Sequence, residues 1–208
     1  MKDTEINTRI HILDEATPLF AAQGYNGVSM RDLSKAVGIS AAALYHHFSD
    51  KRTLYLEVMK HSFVDKATAF ARSVTNAGTA IEQLEDFIKG FTLMVNKDQN
   101  FRALVMWELL DGDEARLKLV AEEVLLEPFK MVYALIQDID PEADHYMLTI
   151  SSIWLVLSHS TTAPMCQYLP GWETSYSNPS VISAHVIQLL KNNINPVVGV
   201  ASERVPKK

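Results

Sequence analysis

Between Ser29 and Phe48 the chain reads SMRDLSKAVGISAAALYHHF, and this stretch restricts the fold more than any other. Ser29 followed three residues later by Asp32 is a capping box. The serine oxygen accepts the Asp32 amide, and the carboxylate returns to the Ser29 amide. The helix so opened is short, because Gly38 tolerates a left-handed backbone and redirects the chain. Ser40 caps a second short helix, in which Ala41, Ala42 and Ala43 are strong helix formers. Leu33 and Val37 are one turn apart, as are Leu44 and Phe48, so with Ile39 they face one small core. Ser34 keeps the crossing narrow. This is the spacing of a helix-turn-helix, whose second helix enters a major groove. Spacing alone leaves an ordinary capped helical hairpin standing beside it.

The rest of the chain is patterned the same way. Ile6, Ile10, Leu13, Thr17 and Phe20 mark one helix face before a stop at Gly24, with Pro18 expected to kink it. Ser49-Asp50 opens a long fourth helix from Lys51 into the low seventies. TNAGT (75–79) reads as a loop. Helical patterns follow over about 80–97, with Ile81, Leu84, Ile88, Phe91 and Val95 on one stripe, then 99–110, 114–138 with a break near Pro128, 141–163 and 179–194. The stretch 164–179 and the tail GVASERVPKK read as irregular. No alternating strand pattern is sustained. The expectation is an all-α chain: a three-helix head over 1–50 that contains the helix-turn-helix spacing, and a larger helical body over 51–208, with a linking helix at about 51–73.

Composition narrows the function. Of 208 residues, 48 % are apolar, enough for a sizeable core, and the one cysteine, Cys166, cannot form an intrachain disulfide. The charged N-terminus lacks the apolar segment of a signal peptide. The apolar stretch 147–157 is too short and too polar for a span of ~20 residues. A cytoplasmic protein with no membrane role is expected. Net charge is −6. Residues 1–63 are balanced, with seven basic and seven acidic side chains, while 64–208 carry twelve and eighteen. Contact with a polyanion therefore falls to the head.

On the second short helix Ser40, Ala41, Ala42, Tyr45 and His46 are left over from the apolar pattern. Small residues let a backbone approach base edges, and the hydroxyls and imidazole can donate to bases or phosphates. Ser29 and Arg31 stand on the first helix. Lys51 stands at the start of the fourth, where free amides favour an anion. His46 and His47 point about 100° apart on a helix and do not chelate one ion, so no metal is expected there.

At this point ILDEATPLFAAQGYNGVSMRDLSKAVGISAAALYHHFSDKRTLYLEVM resembles the N-terminal DNA-binding domain of TetR-family transcriptional regulators. The likeness rests on the helix ending LFAAQGY, the turn SMRDLSKAVGIS and the junction LYHHFSDKRTL, and covers roughly residues 6–60. It implies DNA contacts at Ser29, Arg31, Ser40, Ala41, Ala42, Tyr45, His46 and Lys51. Ala41 departs from the family, which often has a polar or basic residue there, and Ala42 stands where glycine is frequent. The base sequence recognised is therefore not carried over by the likeness.

The resemblance also implies that the body binds a small-molecule effector and forms a homodimer. Two heads about one helical turn of DNA apart (~34–36 Å) then read a palindromic double-stranded operator. Ile153, Leu157, Val181, Ala184, His185 and Gln188 are candidates for the dimer face, or for plain core. Phe91, Met94, Met106, Trp107, Phe129, Tyr133, Trp154 and His159 are candidates for lining an apolar effector site, although such residues at helical spacing are often core. The function expected is a repressor released from DNA by a largely apolar effector, through a shift of population that moves the fourth helix and its head. The alternative is a helical binding protein or enzyme that uses the body without DNA. Against an enzyme, none of GxGxxG, GxxxxGK[ST], HExxH or GxSxG is present. No cofactor is expected.

Overall fold

The computed structural model describes residues 2–74 and 78–194, with side chains over 6–62 and 78–194. Most of the TNAGT signal and all of the GVASERVPKK tail lie outside the described residues. Ten α-helices are present among them, and no strand: α1 (Lys2–Gly27), α2 (Met30–Val37), α3 (Ala41–His47), α4 (Lys51–Val74), α5 (Ala80–Lys97), α6 (Gln99–Asp111), α7 (Glu114–Val120), α8 (Leu126–Ile139), α9 (His145–Cys166) and α10 (Pro179–Asn193). They form two compact units. One joins Met1–Ala71 to Met94–Pro128, and the other joins Arg72–Leu93 to Phe129–Lys208.

In the first unit, apolar faces from α1 to α4 close over Ile12, Phe20, Leu33, Leu44, Phe48 and Leu54, all buried. Tyr55 is fully buried, with the rings of Phe20 and Tyr25 set edge-on at 5.0 and 5.2 Å. The interruption in α1 falls at Gly24 and not at Pro18, which sits inside the helix. Gly24 has φ 68° and ψ 176°, a conformation essentially reserved for glycine. A Cβ there would lie 2.9 Å from the Trp107 ring. That ring comes from α6, and its Nε1 donates to the Ala21 carbonyl at 3.0 Å. The indole therefore fastens α6 to α1.

The same unit contains a buried ion pair. Arg116 Nε donates to both carboxylate oxygens of Glu108 at 2.9 Å, and Nη2 donates to Asp111 at 3.0 Å. The guanidinium lies 4.2 Å over the Tyr25 ring. Arg116 and Glu108 are only 4 % and 3 % exposed. Charges so far from water persist because each has an opposite partner at hydrogen-bond distance.

The second unit packs Phe87 on Phe91 at 5.6 Å and buries Val132, Ile136, Val156, Ile182 and Val186. One of its helices departs from expectation. α9 begins at His145 and not near 141, because Asp144 supplies the cap and accepts the Met147 amide at 3.0 Å. It then runs through Pro164 to Cys166. Upstream, the break expected near Pro128 takes the form of a π-helical turn over Ala121–Leu125 in the first unit. Pro128 has no amide for the Val124 carbonyl, and a widened turn just before it relieves the mismatch.

Removing one half of the buried pair leaves the other charge stranded. Glu108→Ala is expected to lose about 3–5 kcal/mol of stability, read as a lower urea midpoint. An unchanged midpoint would mean that the pair does not hold the unit together.

Candidate nucleic-acid interface

The turn between α2 and α3 is built by its caps. The Asp32 amide donates to Ser29 Oγ at 3.2 Å, and the Ser29 amide returns to the Asp32 carboxylate at 3.2 Å. The Ser29 hydroxyl also donates to that carboxylate and holds its pKa below the usual range. Gly38 has φ 77°, and the Ile39 amide closes on the Ser34 carbonyl at 3.0 Å. Ser40 Oγ accepts the Ala43 amide at 3.1 Å and starts α3. A seven-residue helix does not hold itself in water. Its inner side is held by the fully buried Leu44 and by Phe48 just beyond its end.

Arg9, which the sequence reading passed over, completes that grip. Its Nη1 donates to the His47 carbonyl at 2.9 Å, its guanidinium lies 4.3 Å over the Phe48 ring, and Nη2 pairs with Glu57 at 3.2 Å. A cation at the last carbonyls of a helix also suits its dipole. Nothing local in the sequence marks this contact, since its partner is 38 residues away.

With its inner side fixed, α3 leaves Ser40, Ala41, Ala42, Tyr45 and His46 exposed, Tyr45 by 51 %. Ser29 and Arg31 are also exposed, and so is Lys35, one turn after Arg31 on the same face of α2. Its i+4 spacing from Arg31 was a readable signal. The structure thus gathers seven of the eight candidate DNA residues on accessible parts of α2, α3 and their caps.

Lys51 is the exception and corrects the expectation of an outward cation. Its Nζ donates to the carbonyls of Tyr25 and Val28 at 2.9 and 3.0 Å and lies 4.1 Å over the Tyr25 ring. Burial, followed by the nearby Arg116 charge, lowers its pKa. The reason is local: the break at Gly24 and the end of α1 leave carbonyls without helical donors, and the ammonium supplies them. Asp50 caps α4, accepting the Thr53 amide at 2.7 Å, which lowers its pKa.

The eight candidate effector residues are distributed over both units. Met94, Met106 and Trp107 belong to the first and are half-buried, with Trp107 committed to α1. In the second, Phe91 is buried, Phe129 stands 6.2 Å from Tyr133, and Trp154 is 38 % exposed. Half-buried His159 meets His185 at 5.5 Å. A groove of about 520 Å³ runs between α5 and α10, lined by Glu85, Lys89, Leu93, Ser183, Ile187 and Lys191 among others, and by none of the eight. Of the dimer candidates, Val181, Ala184, His185 and Gln188 are exposed at i, i+3, i+4 and i+7, and Ile153 is half-buried. Leu157 is buried and belongs to the chain's own core.

Residues 12–58 match the family described as bacterial regulatory proteins, tetR family. The HTH-type transcriptional repressor AcnR of Corynebacterium efficiens is 37 % identical over 76 residues, which are 36 % of this chain and 38 % of AcnR. The negative transcriptional regulator IcaR of the Staphylococcus aureus biofilm operon icaADBC is 24 % identical over 123 residues, 53 % of this chain and 66 % of IcaR. The chain thus spans less than two thirds of either relative's length. Among solved structures, the transcriptional regulator FadR from Bacillus subtilis with stearoyl-CoA aligns at a TM-score of 0.73 and 16 % identity, covering 88 % of this chain and 97 % of FadR. AibR with isovaleryl coenzyme A and operator DNA aligns at 0.66 and 18 %, with the same coverage. These likenesses extend the shared fold over both units.

With its ammonium turned inward, Lys51 acts on the head's stability. Lys51→Ala is expected to lower the melting temperature while leaving unchanged the slope of DNA affinity against salt, measured where the head is folded. A slope reduced by about one unit would restore a phosphate contact.

Proposed function

We propose that this chain, whose residues 12–58 match the tetR family of bacterial regulatory proteins, is a TetR-family transcriptional repressor that leaves its operator when a small, largely apolar effector binds the helical body. The observation that carries the reading is the exposed Ser40–His46 surface on a helix whose inner side and both ends are held by the head. α3 enters the major groove. The small side chains of Ala41 and Ala42 let its first turn approach the base edges, where a methyl group can meet thymine. Tyr45 and His46 donate to bases or phosphates, and Ser29, Arg31 and Lys35 address the backbone beside them. The acidic remainder of the chain adds no attraction to the phosphates, so affinity rests on these few groups.

One head makes too few contacts for specific binding. A homodimer through the exposed faces of α9 and α10 supplies two, set ~34–36 Å apart on a palindrome. In a two-fold dimer each exposed stripe meets its own copy, and Trp154 and Val181 give that stripe apolar surface. Within the second unit, Phe91, Phe129 and Tyr133 are the candidate effector contacts. The FadR and AibR complexes hold acyl-CoA thioesters, whose acyl chains are apolar but whose nucleotide part is anionic, so free apolar acids and their CoA thioesters are the effectors to compare. The effector acts only through its different affinity for the DNA-bound and free states. A coupling of ~1–3 kcal/mol weakens operator binding ~5–150-fold. No described helix is long and apolar enough to cross a membrane, and the site of action is the cytoplasm, where the DNA is.

The chain is expected to shift a duplex taken from upstream of its own gene, and Tyr45→Ala is expected to weaken that binding more than tenfold. Unchanged affinity would remove α3 as the reading helix. Light scattering on an eluting peak is expected to give twice the chain mass, and a monomer at micromolar concentration would remove the palindrome.

A further inference from the structure

The His159–His185 pair is used neither by the head nor by the core. His159 is half-buried on α9 and His185 is exposed on α10. Their rings stand 5.5 Å apart and nearly perpendicular, at 88°. Among the described residues neither ring makes a hydrogen bond to the protein, although a half-buried imidazole ordinarily finds one. Both imidazoles border the exposed stripes of the two helices, Val181, Ala184 and Gln188 on α10 and Trp154, Ser158 and Thr162 on α9.

We propose that this histidine pair, together with the same pair from a second copy of the chain, holds one divalent transition-metal cation of the zinc class on the two-fold axis of the homodimer. The inference rests on the α9/α10 homodimer reading above. Zn–N bonds of ~2.1 Å in a tetrahedron put two imidazole centroids ~5.3 Å apart, against 5.5 Å observed here. Among the described residues no three His, Cys, Asp or Glu side chains converge, so one copy offers half a ligand set and the symmetry of the dimer supplies the other half. Four neutral imidazoles suit Zn²⁺, Ni²⁺ or Cu²⁺ and exclude Mg²⁺ and Ca²⁺, which prefer oxygen ligands. Bound metal would tie α9 and α10 of one protomer to those of its partner and fix the distance between the two heads.

The test uses the full chain without an affinity tag, stripped with EDTA. Zn²⁺ is titrated by calorimetry, Co²⁺ is followed by visible absorption, and mass is measured by light scattering with and without metal. One Zn²⁺ per two chains, the intense Co²⁺ bands of tetrahedral coordination, and loss of those bands in both His159→Ala and His185→Ala support the proposal. His185 is exposed, so that variant opens no cavity in the chain's own core. Failure to bind, one metal per chain, or bands that survive His185→Ala overturn it. A dimer in EDTA that takes up no metal overturns this inference and leaves the homodimer reading intact. A monomer both with and without metal overturns both.

Discussion

The buried pairing of Arg116 with Glu108 organises the first unit. Arg116 is held by two carboxylates and lies over the Tyr25 ring. Tyr25 in turn carries Lys51, whose ammonium gathers the carbonyls of Tyr25 and Val28 where α1 gives way to α2. One step further on, the Ser29–Asp32 box starts the helix that braces α3. A charge seated between α6 and α7 is thus connected, through the Tyr25 ring and a lysine, to the start of the helix-turn-helix. Burial and the Glu108 carboxylate also push the Tyr55 hydroxyl well above its ordinary pKa, so that ring stays neutral and packs as core at any pH the protein survives.

The same linkage explains why so short a reading helix is usable. α3 has seven residues and one buried side chain of its own, so its order is borrowed. Ser40 supplies the N-terminal bond, Arg9 the C-terminal one, and Leu44 and Phe48 the apolar grip. With the inner side committed, the outer side is free to carry Ala41, Ala42, Tyr45 and His46, residues that contribute little to stability and present a shape to a groove. Division of labour along one turn of helix is what separates this segment from an ordinary capped hairpin.

What was legible in advance was local. The Ser29–Asp32 box, the left-handed Gly38, the Ser40 cap and the α5 stripe depend on neighbours within one or two turns; of that stripe Leu84, Ile88, Phe91 and Val95 are buried and Ile81 is half-buried. Contacts across long sequence separations were not legible. Lys51 looked like a free cation at a helix start, yet its partners lie 26 and 23 residues earlier. Arg9 and Trp107 find carbonyls 38 and 86 residues away, and no periodicity reports that. Prolines misled in both directions: Pro18 and Pro164 sit inside helices, while the break in α1 belongs to Gly24. The body was least legible, because apolar residues at helical spacing serve a core and a ligand site equally well.

The central claim is that the surface from Ser40 to His46, flanked by Ser29 and Arg31, is what touches a duplex. Backbone amide shifts of the ¹⁵N-labelled chain, titrated with a duplex selected from a random-sequence pool, test it most directly. The account predicts perturbations concentrated at residues 29–31 and 40–46, absent when the selected sequence is scrambled. Shifts confined to α9 and α10, with α3 silent, would contradict it.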